Sequence, residues 1–162
     1  MILVAIDPGV KAAGVALFED GELASAWLSR GKTWTETARA VRLAVENRLP
    51  LEIIRDCHAA IEKPQVYRTE FLKGDPNDLI DVALMAGAAV SGFDPKHVKS
   101  YLPKEWKGQV PKAVMTKRIK GWLSKEEHER VELPKAGTLR HNVWDAVGIG
   151  VQHLRLQRNR TT

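Results

Sequence analysis

The chain has 162 residues and a mass of 18.1 kDa, the size of one ordinary domain. Hydrophobic residues make up 44% and charged residues 28%, a balance typical of globular proteins and not of disordered ones. No apolar run reaches the roughly 18 residues that a membrane span needs, and the N-terminus has no signal-peptide pattern. Cys57 is the only cysteine, which excludes an internal disulfide framework and a cysteine-based zinc site. We expect a single domain over residues 1–158, a short tail at 159–162 and a reducing compartment.

Positive charge is concentrated in one segment of the chain. The formal net charge is +5. Residues 96–125 carry nine Lys and Arg residues against one acidic residue, Glu105, whereas the rest of the chain is slightly acidic. Such segregation is typical of proteins that bind a polyanion, most simply nucleic acid. A solvated helix face is the alternative interpretation.

The first half of the chain alternates between strand-like and helix-like patterns. Short apolar or alternating runs bounded by turn residues predict four strands, at 2–6, 13–18, 22–28 and 57–61. The short turn between the second and third strands predicts an antiparallel hairpin. Apolar residues at helical spacing predict a helix over 33–48, with Thr33 and Glu36 at capping-box spacing. A helical crossover before the fourth strand favours a parallel pairing of that strand with the first.

The second half predicts three more helices and a fifth strand. In chain order we expect a long polar loop at 63–77, a helix at 78–90, a strand at 97–102 and a basic loop at 104–110. We then expect a helix at 111–123, a charged stretch at 126–137 and a last helix at 138–157. The whole order predicts an α/β domain with a central mixed five-stranded sheet. Its first three strands are antiparallel, and helices cover both faces.

Two acidic residues stand at the ends of strands that are predicted to be buried. Asp7 follows five apolar residues and precedes Pro8-Gly9, and Glu62 closes the run Ala59–Ile61. If the two strands are parallel neighbours, their carboxyl ends meet at one edge of the sheet. Two carboxylates in one crevice repel each other unless a cation lies between them. The pattern therefore indicates a cation site.

Asp145, in the first turns of the last helix, is the third acidic candidate. His141 and Asn142 precede it by four and three residues, so both share its helix face. An oxygen-rich set of this kind suits Mg²⁺ or Mn²⁺ better than zinc. Two such ions are the usual clamp for phosphodiester hydrolysis. A surface acid favoured by the helix dipole is the alternative interpretation of Asp145.

Three motifs of the chain resemble the RuvC family of Holliday-junction resolvases, which have an RNase H-like fold. The motifs are Val4-Ala5-Ile6-Asp7-Pro8-Gly9 with Gly14-Val15-Ala16, then Ala60-Ile61-Glu62, then Asp145-Ala146-Val147-Gly148-Ile149-Gly150. They cover most of the chain in the family's order, and the small size is similar to that of a bacteriophage-type member. Sugar-kinase and actin-like ATPases open with a similar Asp-Pro-Gly element but need two such domains, so no nucleotide cofactor is expected.

The resemblance implies that Asp7, Glu62 and Asp145 are catalytic ligands of two Mg²⁺ ions, or of Mn²⁺. The family's fourth ligand is an Asp or His three residues before the last Asp. Here that position is Asn142, and His141 is one residue earlier. Either His141 reaches the metal or Asn142 ligates weakly through its amide oxygen. We favour His141, because neutral imidazole is the better ligand or proton shuttle; a non-catalytic helix-end histidine is the alternative.

The resemblance also implies residues that bind DNA. The family places an aromatic wedge shortly after the Glu, where the candidate here is Tyr67, with a purely local anchor as the alternative. Basic residues after the fifth strand contact the scissile phosphates in this family, and the candidates are Lys104, Lys107, Lys112, Lys117 and Arg118. Trp106 lies among them and is expected to pack beneath its loop.

The resemblance as a whole implies a homodimeric endonuclease that nicks four-way DNA junctions symmetrically and leaves 5′-phosphate and 3′-hydroxyl ends. The two-fold symmetry of a junction calls for two active sites. The helix at 78–90, with its small residues, is the candidate dimer contact, and a helix buried wholly in the core is the alternative interpretation. We expect it in a bacterial or phage-infected host cytoplasm and away from membranes. Two alternatives stay open: another RNase H-like nuclease that acts on flaps, branched DNA or RNA–DNA hybrids, and a junction-binding protein with a degraded site.

Overall fold

A computed structural model describes residues 1–66, 75 and 77–159. The strands, in chain order, are β1 Ile2–Asp7, β2 Ala12–Glu19, β3 Glu22–Arg30, β4 His58–Glu62 and β5 His97–Tyr101. They form one mixed sheet in the order β3-β2-β1-β4-β5. Strands β1 to β3 pair antiparallel, β4 is parallel to β1, and β5 is parallel to β4. The predicted mixed sheet and its antiparallel first three strands are confirmed.

The helices are α1 Trp34–Glu46, α2 Leu51–Asp56, α3 Asn77–Phe93, α4 Pro103–Trp106, α5 Lys112–Trp122, α6 Lys125–Glu129 and α7 Arg140–Arg158. A 3₁₀ turn, Gly137–Leu139, leads into α7. At the start of α1 the backbone N–H of Glu36 donates to the Thr33 hydroxyl oxygen at 3.3 Å, as the capping-box spacing predicts. Residues 67–74 and 76 of the predicted loop, and 160–162 of the predicted tail, lie outside the described residues.

Three short helices depart from the predictions. The basic segment predicted as a loop contains α4, where Pro103 starts the turn and the Glu105 carboxylate accepts from the Leu102 N–H at 2.6 Å. The charged stretch contains α6, which Ser124 and Glu127 cap reciprocally at 2.8 and 3.2 Å. The third, α2, begins directly after Pro50 and ends at Asp56. In α4 and α6 capping contacts lie at the helix ends, and α2 buries a single residue, Ile54, so all three leave little hydrophobic periodicity in the sequence.

Apolar side chains fill both faces of the sheet. Val4 and Ile6 point to the face covered by α1 and α3, whereas Leu3 and Ala5 point to the face covered by α5 and α7. Because successive strand residues alternate between faces, burial of both faces requires the continuous apolar run of β1. Helices on both faces of the sheet are therefore confirmed. Cys57 is buried among these residues, as predicted.

The two edges of the sheet differ in how they are covered. At β3, the segment 130–132 adds a short parallel bridge, with Ala26 bonded to the Arg130 carbonyl at 3.1 Å and to the Glu132 N–H at 2.7 Å. At β5, the four residues before Tyr101 are all exposed. The part of the chain that the structure describes contains no helix long and apolar enough to cross a membrane.

Candidate active site

The parallel pairing of β1 and β4 sets the first two acidic residues side by side. Ile6 lies opposite Ile61 in the ladder, and Asp7 and Glu62 are the next residues along their strands. Pro8-Gly9 ends β1 at this point, so the Asp7 carboxylate lies at the carboxyl edge of the sheet. Both side chains are partly buried. The sheet register thus produces the juxtaposition that the sequence predicted.

Helix α7 brings Asp145 to the same edge. Gly14, which pairs with Asp7 across the β1–β2 ladder, allows the first turn of α7 to lie directly on β2. A Cβ at residue 14 would lie 1.8 Å from the backbone oxygen of Asn142. This close approach places Asp145 against the strand ends, where only 7% of its surface is exposed. The third acidic candidate therefore belongs to the same crevice.

A lysine links two of the three carboxylates. The Lys107 Nζ lies 3.2 Å from Oε2 of Glu62 and 3.9 Å from Oδ2 of Asp145. Although burial lowers the pKa of Lys107, the negative charges of Glu62, Asp145 and Asp7 raise it above its usual value overall. The ammonium group is therefore charged at neutral pH and supplies part of the positive charge that the crevice needs.

The crevice carries more negative charge than its surroundings stabilise. Burial raises the pKa of Asp7 well above its usual range, and the charges of Asp145 and Glu62 raise it further. Burial likewise raises the pKa of Asp145 to about 6, against the opposing effect of Lys107. Carboxyl groups with such shifts are typical of sites that bind a cation or transfer protons.

Trp106 contacts the site in a way that the sequence analysis missed. Its ring is 5% exposed and packs on α5 and α7, as expected for a residue beneath its loop. In addition, its indole Nε1 donates a hydrogen bond to Oε2 of Glu62 at 2.6 Å. No sequence pattern indicates which acceptor a buried indole will face, because the two residues lie 44 positions apart.

The two candidates for a fourth ligand differ in their contacts. The Asn142 side-chain amide donates to the backbone oxygen of Ala12 at 3.2 Å and so ties α7 to the start of β2. His141 is partly buried in the first turn of α7. Burial lowers its pKa, and the nearby Lys112 lowers it further, which favours the neutral imidazole that a metal ligand or proton shuttle needs.

The oxygen ligands of the crevice suit a hard divalent cation, although their side chains are not already arranged as a compact metal site. Within the described ranges, no three His, Cys, Asp or Glu side chains lie close enough together to form a metal cluster. Carboxylate oxygens of Asp7, Glu62 and Asp145 are nonetheless the ligands that Mg²⁺ and Mn²⁺ prefer. The raised pKa values of Asp7 and Asp145 show that Lys107 alone leaves their charge incompletely compensated.

The predicted basic residues lie at different distances from the crevice. Lys107 contacts the carboxylates, and Lys112, the exposed first residue of α5, is near enough to lower the pKa of Asp7. Lys104 on α4 and the pair Lys117–Arg118 on α5 are exposed elsewhere in the same basic segment. Tyr67, the predicted wedge residue, lies outside the described residues.

The fold and the crevice define a class: an RNase H-like α/β domain with acidic residues at the ends of β1 and β4 and on the last helix. Among solved structures, this chain is similar to Thermus thermophilus RuvC in complex with a Holliday junction substrate. The TM-score is 0.69 at 19% identity, over 99% of this chain and 97% of that one. The predicted RNase H-like fold is thereby confirmed, in the arrangement of RuvC.

Two further resolvases of known structure share this fold. Fowlpox virus resolvase, solved with its substrate Holliday junction DNA, aligns with a TM-score of 0.58 at 16% identity, over 97% of this chain and 99% of that one. A yeast mitochondrial Holliday junction resolvase aligns with a TM-score of 0.54 at 10% identity, over 98% of this chain and 81% of that one. No protein-family model and no curated protein sequence matches the chain.

Proposed function

We propose that this protein is a metal-dependent endonuclease that resolves four-way DNA junctions by paired symmetric nicks. The observation that carries the proposal is the crevice in which Asp7, Glu62 and Asp145 meet beside a basic segment. It lies in a fold that aligns with resolvases over nearly the whole chain, two of them solved with junction DNA. Fold alone does not define a function, so the chemistry of the crevice is the deciding feature.

In this proposal Asp7, Glu62 and Asp145 would bind two Mg²⁺ or Mn²⁺ ions, with His141 as the favoured fourth ligand. When bound, such ions would activate water and stabilise the leaving oxygen of a phosphodiester. The resemblance to RuvC resolvases implies 5′-phosphate and 3′-hydroxyl ends. The protein's own contribution is to keep these carboxylates together and partly shielded from water. Lys107 adds a fixed positive charge beside them, where a phosphate oxygen would approach.

The exposed basic residues are proposed to bind the DNA backbone. Lys104, Lys112, Lys117 and Arg118 are exposed on α4 and α5, which follow one another directly after β5. Lysine and arginine contacts of this kind supply affinity without sequence information and make binding strongly salt-dependent. This surface therefore accounts for DNA binding, whereas selection of a four-way junction needs a second active site.

A homodimer would supply that second site, and an apolar face between α3 and β5 is the proposed contact. A groove of about 760 Å³ runs between these elements. Ile80 on α3 and Val98 on β5 line it and are exposed at 58% and 54%. Contiguous exposed apolar surface of this kind is typical of protein–protein contacts. Two copies related by a two-fold axis would match the symmetry of a four-way junction.

The deciding experiment is cleavage of an immobile synthetic four-way junction beside matched duplex, flap and RNA–DNA hybrid. Reactions contain Mg²⁺, Mn²⁺ or EDTA, with wild type, Asp7→Asn and the control Asp56→Asn. Asp56 is an exposed aspartate at the end of α2, paired with Lys96. We expect paired nicks on the junction that are lost with EDTA and with Asp7→Asn but kept by Asp56→Asn.

Three other results would overturn the proposal. Equal cutting of flaps or hybrids would make the protein a different RNase H-like nuclease. Tight junction binding without cutting under either metal would make it a binding protein with an inactive site. Cutting that persists in EDTA would exclude the metal-dependent mechanism.

A further inference from the structure

Trp106 is placed to control the orientation of one of the three carboxylates. It is the last residue of α4, which begins two residues after β5, and the end of β5 pairs with Glu62. Its indole Nε1 donates to Oε2 of Glu62 at 2.6 Å, a short hydrogen bond of the kind formed with a charged acceptor. The ring itself is 5% exposed, so water competes little for this donor.

The same indole also contacts the lysine of the site. The Lys107 Nζ lies 4.7 Å from the centre of the Trp106 ring and 3.2 Å from Oε2 of Glu62. A cation over an aromatic face is attracted by the ring's electrons. Both donors therefore converge on Oε2, so they fix the orientation of a carboxylate that would hold the cation.

The position of the Trp106 ring depends on a glycine of α7. A Cβ at Gly148 would lie 2.6 Å from Cζ3 of Trp106 and 2.7 Å from Cδ1 of Ile119. Gly148 is three residues after Asp145 and so lies on the same side of the helix. The ring thus packs against the helix that carries Asp145 while its indole N–H reaches Glu62 at the end of β4.

We propose that Trp106 is a positioning residue that orients Glu62 and Lys107 for cation binding. The expected effect on cation binding rests on the proposed metal-dependent function. The contact between Trp106 and Glu62 itself is present in the metal-free protein. A phenylalanine would fill the same space without the N–H donor. Trp106→Phe is therefore expected to preserve the fold and to release Oε2 of Glu62.

The first test observes the contact without any metal. The chain has five tryptophans, so an NMR spectrum of the indole N–H groups contains five resonances at most. The Trp106 resonance is the one lost in Trp106→Phe. In the Glu62→Gln protein, which keeps Trp106, that resonance is expected to move upfield because a neutral amide is a weaker acceptor than a carboxylate. An unchanged Trp106 resonance in Glu62→Gln would overturn the inference.

The second test measures metal affinity directly by calorimetric titration with Mn²⁺. Loss of a residue that orients a metal ligand typically weakens metal affinity by roughly 10–100-fold, and we expect a loss in this range for Trp106→Phe. The matched control is Trp144→Phe, since Trp144 is also 5% exposed and belongs to the same side of the core. Equal Mn²⁺ affinity in Trp106→Phe and wild type, or an equal loss in the control, would contradict the inference.

Cleavage kinetics separate positioning from simple loss of structure. Trp106→Phe is expected to raise the Mg²⁺ concentration for half-maximal junction cleavage while most of the maximal rate returns at saturating Mg²⁺. A lower maximal rate with unchanged Mg²⁺ dependence would indicate a merely structural role and would overturn the inference. A wild type that neither binds Mn²⁺ nor cleaves would overturn the proposed function instead, and the NMR test would still decide whether Trp106 orients Glu62.

Discussion

Replacement of Asp145 by asparagine is expected to stabilise the metal-free protein. Asp145 is 7% exposed, and burial raises the pKa of its carboxyl from 3.8 to about 6, with Glu62 adding to the rise against the opposing effect of Lys107. One pKa unit corresponds to about 1.4 kcal/mol, so this shift corresponds to a cost of about 3 kcal/mol for the ionised group in the folded state. The neutral amide of Asp145→Asn avoids that cost and keeps the shape of the side chain.

The sign of the pH dependence follows from the direction of the shift. Because the folded-state pKa of Asp145 is raised, the cost is fully present above about pH 6 and disappears as the pH falls below the unfolded value. The advantage of Asp145→Asn in unfolding free energy should therefore be largest near pH 7. Near pH 4 it should shrink to less than about 1 kcal/mol, since the carboxyl group is then largely protonated in the folded state.

Thermal unfolding in EDTA measures this effect. For a domain of this size about 1 kcal/mol corresponds to roughly 2–4 °C, so Asp145→Asn should raise the Tm by about 6–12 °C near pH 7. The control is Glu19→Gln, which removes a negative charge from the exposed end of β2. A Tm of Asp145→Asn equal to that of wild type, or an advantage that is the same at both pH values, would refute the reasoning. Saturating Mg²⁺ should reduce or reverse the Tm difference between Asp145→Asn and wild type. The reason is that a ligand which binds only the folded state stabilises the protein that binds it, here the wild type.

Three further substitutions, the first with a matched control, test other parts of the site and the proposed dimer. Gly148→Ala should weaken Mn²⁺ binding roughly 10-fold in calorimetry by displacing the Trp106 ring. Gly150→Ala, whose added Cβ would instead meet Phe18 at 2.1 Å, should lower the Tm without that change in affinity. Lys107→Gln should lower the unfolding free energy in EDTA by about 1–3 kcal/mol in urea titrations, because Glu62 loses a charged partner. Ile80→Glu should convert a dimer into a monomer in analytical ultracentrifugation, and an unchanged sedimentation coefficient would exclude the α3–β5 face as the contact.

The sheet could be predicted because its signals are local. The apolar run of β1 ends at Asp7 and Pro8-Gly9, and the apolar run of β4 likewise ends in an acidic residue, Glu62. A helix between strands requires a crossover, so the parallel pairing of these two strands follows from the order of elements. The short helices α4 and α6 were missed because capping contacts at their ends replace an apolar stripe, and α2 was missed because its six residues bury only Ile54.

The contacts inside the site depended on parts of the chain that are far apart in sequence. Lys107 was one of five basic candidates until the structure placed its ammonium group 3.2 Å from Glu62. Asn142 was a candidate ligand, and its amide donates to Ala12, 130 residues away. Spacing along one helix or strand identifies residues that share a face, but it does not identify the surface that they meet.

The sequence by itself determined which residues are the candidates for the proposed chemistry: two acids at the ends of buried strands, a third on the last helix, and a basic segment. Residue type, hydrophobic runs and turn residues are sufficient for this, because strand ends and helix faces are set by neighbours in the chain. Only the tertiary structure decided how these groups are oriented and compensated, through the Trp106–Glu62 hydrogen bond and the Lys107 bridge to Asp145. The physical reason is that a buried donor and acceptor are paired by packing across the core, which no local pattern records.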